Sequence, residues 1–297
     1  MLKISEKLKT SSQILQTAEI VEARREARLL LAFALGKNQT FLIAYDDYAL
    51  SETEEKRFDD FIRRRVKREP LQHITNNQEF YGLDFYVDKN VLIPRPETEM
   101  IVENVLEMLP ENAKFCEVGV GSGCISVSIL HELKTVSAIG LDISENALKI
   151  AKRNAETHQV SDRLTLKKSD VFSILSNEKF DLICSNPPYI SVDEIPNLQA
   201  EVQHFEPLNA LTDGENGFTI IENLIRNSPK FLKPNGFLLI EIGFGQAEKI
   251  GEFVSSEIWQ SFEILPDLQG ILRMIRLQMY GSCKVSQSRF LTQMHTD

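Results

Sequence analysis

The stretch CEVGVGSGCIS, residues 116–126, sets Gly119, Gly121 and Gly123 between the apolar run AKFCEVG and a helix-like segment from Cys124 to Leu133. A glycine turn between a strand and a helix lets a ligand come against bare backbone at the carboxyl end of a sheet. The spacing departs from a dinucleotide-binding turn, G-x-G-x-x-G, which would place its third glycine where this chain has Cys124. No G-K-[ST] follows, so a P-loop is disfavoured too.

Outward from this loop, strands and helices alternate. VSAIGLD precedes a helix from Ser144 to about His158, then come RLTLKKSD, FDLICSNPPY, a helix around Gly217 to Leu232, GFLLIEIG, and a helix from Gln246. SFEILPD and ILRMIRLQ close the series as an antiparallel edge hairpin. Seven strands with helices between them predict an α/β fold, a doubly wound, mainly parallel sheet.

The segment before the sheet reads differently. AEIVEARREARLLLAFAL, residues 18–35, spaces its apolar positions along one helical face and meets Gly36 as its stop. A second helix starts at Ser51, with Glu54 completing a capping box, and continues toward Pro70. Residues 1–75 are therefore expected to form a helical domain. Residues 76–97, with turns at Gly82 and Asp88-Lys89-Asn90, are read as a hairpin linker, 98–280 as the α/β domain and 281–297 as a loosely held tail. The basic run RRRVKRE, residues 63–69, is read as a solvated helix end or a docking surface.

Composition limits the possibilities. Hydrophobic residues make up 42% and charged residues 26%, which fits a globular chain. Neither a membrane span nor a signal peptide is visible, so a cytoplasmic location is expected. Cys116, Cys124, Cys184 and Cys283 lack C-x-x-C spacing and the five histidines are scattered, so neither a disulfide framework nor a metal site is expected. The net charge is −10; residues 1–75 carry 14 Lys and Arg against 12 Asp and Glu, leaving the acidity in the remainder. An acidic body is a poor match for a polyanion, which lowers the expectation of direct nucleic-acid binding.

Candidate ligand contacts follow from the strand ends. Asp142 closes the second strand, where a carboxylate can accept both hydroxyls of a ribose. Asp170 and Val171 follow the third strand and are placed to border an adenine ring. The fourth strand runs into Asn186-Pro187-Pro188-Tyr189 and should lie beside the first, facing the same crevice. The Asn186 side-chain carbonyl and the Pro187 backbone carbonyl are two acceptors able to hold both hydrogens of a planar NH2 group. Tyr189 would stack on that group or face a cationic sulfonium, an interaction of about 0.5–2 kcal/mol. Such a clamp suits methyl transfer to a weakly nucleophilic nitrogen through orientation and electrostatic preorganisation, without a conventional general base.

With these motifs the chain resembles class I S-adenosylmethionine-dependent methyltransferases, and more closely the HemK/PrmC-type peptide chain release factor glutamine methyltransferases. N-P-P-Y alone is shared with adenine methyltransferases. LIPRPETE at 92–99 and EPLNALTDGENGF at 206–218 point to the glutamine enzymes. The resemblance implies a Rossmann-like fold and S-adenosylmethionine contacts at Glu117, Gly119, Val120, Gly121, Ser122, Gly123, Asp142, Asp170, Val171 and Asn186. It also implies an amide site at Asn186, Pro187, Pro188 and Tyr189, with Asn186, Pro187 and Tyr189 catalytic. The implied substrate is the glutamine of the Gly-Gly-Gln motif in class 1 release factors, gripped with help from the helical domain; a monomer contacting this large substrate is the simplest expectation. Glu117 stands where an aspartate is common, Val171 where an aromatic is frequent, and LQGILRMI keeps Arg273 as its basic residue. The competing readings are an adenine-N6 methyltransferase on DNA or RNA and a non-catalytic binding protein on the same fold.

Overall fold

A computed structural model describes residues 2–281. Cys283 and nearly all of the expected tail fall outside the described residues. The described residues form two compact units, 2–77 with 198–205, and 78–197 with 206–281.

The first unit is helical, with principal helices Ile4–Thr17, Ala23–Leu35 and Glu52–Val66. Its core includes Ile4, Leu15, Leu30, Leu31 and Phe58. The helix expected from Ala18 begins at Ala23, because Glu19 adopts a left-handed conformation that breaks the chain there. Helix Ile4–Thr17 escapes the sequence reading because its exposed face is polar and its buried positions include Lys7 and Ser11. Ser51 and Glu54 form the expected capping box.

The basic run 63–69 proves to be mostly paired with acids. Arg64 bonds Glu69, Arg63 bonds Asp60, and Arg65 bonds Glu26 at 2.5 Å and Glu201 at 3.0 Å. Arg68 also reaches Glu201, at 2.9 Å. Arg63, 65% exposed, and Lys67 form the solvated helix end, whereas Arg64, Arg65 and Arg68 have their charges balanced by acids within the unit and make no open cationic surface.

The second unit opens with a short hairpin, β1 (Gln78–Phe80) and β2 (Leu83–Phe85), turning at Tyr81-Gly82 with both residues at positive φ. The turn at Asp88–Asn90 joins no strands; Asp88 Oδ1 accepts from the Asn90 backbone and side chain. The main sheet contains β3 (Lys114–Val118), β4 (Ser137–Asp142), β5 (Leu164–Lys168), β6 (Phe180–Ser185), β7 (Leu232–Glu241), β8 (Trp259–Pro266) and β9 (Leu272–Met279). Its order is β5-β4-β3-β6-β7-β9-β8, with β9 antiparallel to both neighbours. This is the seven-stranded, Rossmann-like architecture expected from sequence.

Period-two alternation builds two cores. Phe115, Leu182 and Leu239 join one cluster, while Cys116, Ile183 and Ile240 join the other. Burial on both faces explains the near-continuous apolar strands. Helix Cys124–Glu132 has every residue from Cys124 to Leu130 buried, as an apolar helix packed within the body requires. From β3 the chain winds outward to β5 and returns to β6 on the opposite side of β3. That reversal opens a crevice beyond the carboxyl ends of β3 and β6.

Candidate active site

Strand register brings the two sequence motifs together. Val118 pairs with Ser185, and the Ser185 hydroxyl donates to the Val118 carbonyl at 2.7 Å. Gly119 and Asn186 are the next residues on their strands, so the glycine loop and N-P-P-Y leave the sheet side by side.

The loop borders a cavity of about 360 Å³. Its size falls in the range of small-molecule sites, roughly 300–1,000 Å³. Glu117, Gly119, Val120, Gly121 and Ser122 line it, joined by Asp142, Asp170, Val171, Asn186 and Pro188. Gly123 does not line the cavity. Its φ is +83°, and a Cβ there would lie 3.2 Å from the Ala151 side chain and 3.3 Å from the Ala151 backbone, so it allows close helix packing.

Asp142 is held by two backbone donors, Gly121 N–H at 2.9 Å and Ser144 N–H at 2.8 Å. It therefore combines turn formation with exposure to the cavity. Burial raises its pKa from the ordinary value against the pull of these hydrogen bonds. Val171 has φ +45°, unusual for a β-branched residue, and its carbonyl accepts from Ser169 Oγ at 2.9 Å.

Glu117 accepts from the Ser126 backbone N–H at 2.9 Å and from the Ser126 hydroxyl. Burial pushes its carboxyl up to about 8 despite these bonds. The folded chain consequently holds a proton that the unfolded chain releases between the ordinary value of 4.5 and about 8. This group's contribution to stability falls as pH rises through that window. Glu117→Gln retains an acceptor for Ser126 and removes the acid. The expected result is a higher Tm than wild type near pH 8, by about 2–4 °C for each kcal/mol relieved, with the gap closing toward pH 5. Thermal melts at both pH values check it, and an unchanged gap would remove burial of this acid as the cause.

The environment of Asn186 is the most informative part of the site. Asn186 Nδ2 donates to Thr98 Oγ1 at 3.0 Å, and that hydroxyl donates to Glu241 Oε2 at 2.7 Å. Tyr189 OH donates to the other Glu241 oxygen at 3.2 Å. Glu241 is fully enclosed at the end of β7; burial lifts its pKa to about 7, against hydrogen bonds from Thr98 and Tyr189 and the charge of Arg273. Tyr189 packs its ring against the apolar cluster of Ile221 and Ile240, and neither it nor Pro187 lines the cavity. Burial and the neighbouring Glu241 push the Tyr189 phenol upward.

A tight approach fixes the tyrosine backbone. Gly217 has φ +80°, and a Cβ there would come within 2.2 Å of the Tyr189 carbonyl oxygen. Gln246 Nε2 donates to that same oxygen at 3.0 Å and to the Gly217 carbonyl at 3.3 Å. The conformationally permissive residue thus lets EPLNALTDGENGF close against N-P-P-Y.

Three contributors had no individual role in the sequence reading. Thr98 was visible only as part of LIPRPETE, and nothing local distinguishes it from a helix cap. Glu241 had a signal, a charge inside the apolar run LLIEIG. Glu206, nearly sealed from solvent, binds Arg95 Nη2 at 2.6 Å and accepts from the Ile93 N–H at 3.4 Å. This pair ties together the two motif segments that supply Arg95, Thr98, Pro207 and Asn209 to the cavity wall.

Comparison with known proteins places this geometry. Residues 6–75 match the PrmC N-terminal domain, and residues 96–202 match the Methyltransferase small domain. The release factor glutamine methyltransferase of Koribacter versatilis is 39% identical over 264 residues, covering 88% of this chain and 93% of that protein. Its counterpart in Geobacter sulfurreducens is 42% identical over 231 residues, covering 78% and 81%. A crystal structure of a methyltransferase from Pyrococcus furiosus has the same fold at 18% identity and TM-score 0.51, covering 68% of this chain and 90% of its own. The chain that wraps Asn186 in this network is a methyltransferase belonging to the release factor glutamine methyltransferase family.

Proposed function

We propose that the cavity binds S-adenosylmethionine and that the enzyme methylates the side-chain amide nitrogen of the glutamine in the Gly-Gly-Gln motif of class 1 release factors, giving N5-methylglutamine. The observation that carries this reading is the Asn186 amide at the cavity wall, its NH2 engaged by Thr98 and its oxygen available as an acceptor.

The donor set suits the cofactor. Glu117 and Asp142 are buried acids with raised pKa values, so a ligand bearing cationic sulfonium and ammonium groups would favour their ionised forms. Asp142 is the candidate for ribose hydroxyls, Asp170 and Val171 for adenine, and the turn Gly119–Gly123 for close backbone approach. S-adenosylmethionine would supply a methyl group from its positively charged sulfur, the S–C bond breaking onto sulfur to leave neutral S-adenosylhomocysteine.

The chain's own residues orient the acceptor nitrogen. Asn186 Oδ1 and the Pro187 carbonyl would hold its two hydrogens, with Pro188 bordering the same space. Tyr189, anchored by Glu241, would place the N-P-P-Y turn rather than move a proton. The methylated nitrogen releases one proton to regain a neutral amide, so orientation carries most of the rate enhancement.

The helical unit is proposed to contribute to release-factor recognition. The reaction itself is tested by incubating the full chain with labelled S-adenosylmethionine and a class 1 release factor. Label is expected on the intact factor and at background on a factor whose Gly-Gly-Gln glutamine is replaced; mass spectrometry locates the methyl group. Equal labelling of both factors, or preferential labelling of duplex DNA, would overturn the assignment.

A further inference from the structure

We propose that Thr98 and Glu241 set the polarity of the Asn186 amide, making both positioning residues for methyl transfer. The inference rests on the glutamine-amide reading of the site and adds the means by which that site is kept an acceptor.

An asparagine amide can present either its oxygen or its NH2, and the two faces have nearly the same shape. Only the oxygen can accept from a substrate NH2. The reversed amide would set donors against donors. Discrimination must come from a neighbour that accepts from Asn186, and the neighbour here is a hydroxyl, which by itself can either donate or accept.

Glu241 removes that ambiguity. A carboxylate is acceptor-only when ionised, the form Glu241 takes above about 7. With one oxygen receiving Thr98 and the other Tyr189, both hydroxyl protons point inward to Glu241. Thr98 Oγ1 then has lone pairs left for Asn186 Nδ2, and Asn186 Oδ1 becomes the exposed pole. Information therefore passes from a charge at the end of β7, through one hydroxyl, to the residue that touches substrate.

Thr98 ends the 3-10 turn Pro96–Thr98, which runs directly into helix Glu99–Met108, and its helical backbone leaves the hydroxyl free of any side-chain capping bond. The hydroxyl reaches Glu241, 143 residues along the chain, a contact that local helix formation does not require. The surrounding charges are Arg273, which stabilises the carboxylate, and Glu97, which opposes it.

The test uses full-length protein and the labelled release factor. Thr98→Val keeps the side-chain shape and deletes the hydroxyl; kcat is expected to fall roughly 10- to 100-fold, as for loss of a partner that orients a direct ligand. S-adenosylmethionine affinity, measured by calorimetry, should change less than about threefold, and Thr98→Ser should recover most of the loss. Glu241→Gln, which can donate toward Thr98, should reduce kcat in the wild-type background and add little in the Thr98→Val background. Wild-type kcat in Thr98→Val, or losses that multiply in the double variant, would overturn the proposal. A readout independent of substrate is hydrogen exchange of the Asn186 side-chain NH2 in 15N-labelled protein, expected to be slow in wild type and fast in Thr98→Val. If wild type methylates no release factor, the functional reading fails by itself. The exchange measurement then decides the network, with equal exchange in both proteins overturning it.

Discussion

Asn186→Ala is expected to lower kcat for methyl transfer at least about 10²–10³-fold, the scale seen when one preorganised hydrogen-bonding group is removed from a reacting centre. The substitution removes the acceptor proposed for one hydrogen of the substrate amide and leaves Thr98 without its donor. It leaves Glu117, Asp142 and the glycine loop in place, so S-adenosylmethionine binding should change only severalfold. The distinction matters because an amide nitrogen is weakly nucleophilic. Small errors in its orientation carry large rate penalties, about 10²-fold for a displacement of about 1 Å. Single-turnover labelling at saturating cofactor, with calorimetry alongside, separates the two effects. Activity equal to wild type would sink the proposed clamp, and abolished cofactor binding would reassign Asn186 to the cofactor alone.

Arg65→Ala is expected to destabilise the helical unit by about 3–5 kcal/mol, the cost of breaking a buried ion pair from one side. The Arg65 side chain is only 7% exposed and lies between Glu26, 17% exposed, and Glu201, 15% exposed. Removing the guanidinium leaves two largely sheltered carboxylates, with Arg68 still available to Glu201. Burial raises the Glu201 pKa, but backbone hydrogen bonding and the two arginines outweigh it and hold the acid below its ordinary value. Its stabilising contribution is present above the ordinary glutamate range and is lost as pH falls through the lowered folded value. Urea unfolding followed by helix content checks the prediction. Replacing Arg65 and Glu26 together with apolar residues should recover much of the loss, because Glu201 then still pairs with Arg68. A single-variant midpoint equal to wild type would show that the three charges are not energetically coupled.

Much of this was legible because it is written in local chemistry. Three glycines between apolar segments announced a strand-turn-helix ligand loop, and strand alternation gave the sheet its class. Ser51 and Glu54 marked a helix start that the fold reproduces. What sequence left open lies where a side chain's partner is remote. The pairing of Arg65 within the basic run was not legible because Glu26 and Glu201 are 39 and 136 residues away. Tyr189, read from sequence as a ring facing the reaction, has its hydroxyl engaged by Glu241 and packs against the apolar cluster, contacts that no local pattern announces.

Sequence by itself determined the glycine turn, the mainly parallel sheet and the chemical type of the N-P-P-Y acceptors, since these depend on residue type and on periods of a few residues. Tertiary structure alone decided that Val118 and Ser185 would pair, that Glu241 would end beside both Thr98 and Tyr189, and that Asn186 would turn its NH2 to Thr98. The physical reason is range. Periodicity and turn chemistry act between neighbours, but the polarity of one amide depends on strand order, register and a chain of hydrogen bonds drawn from segments 88 to 143 residues apart.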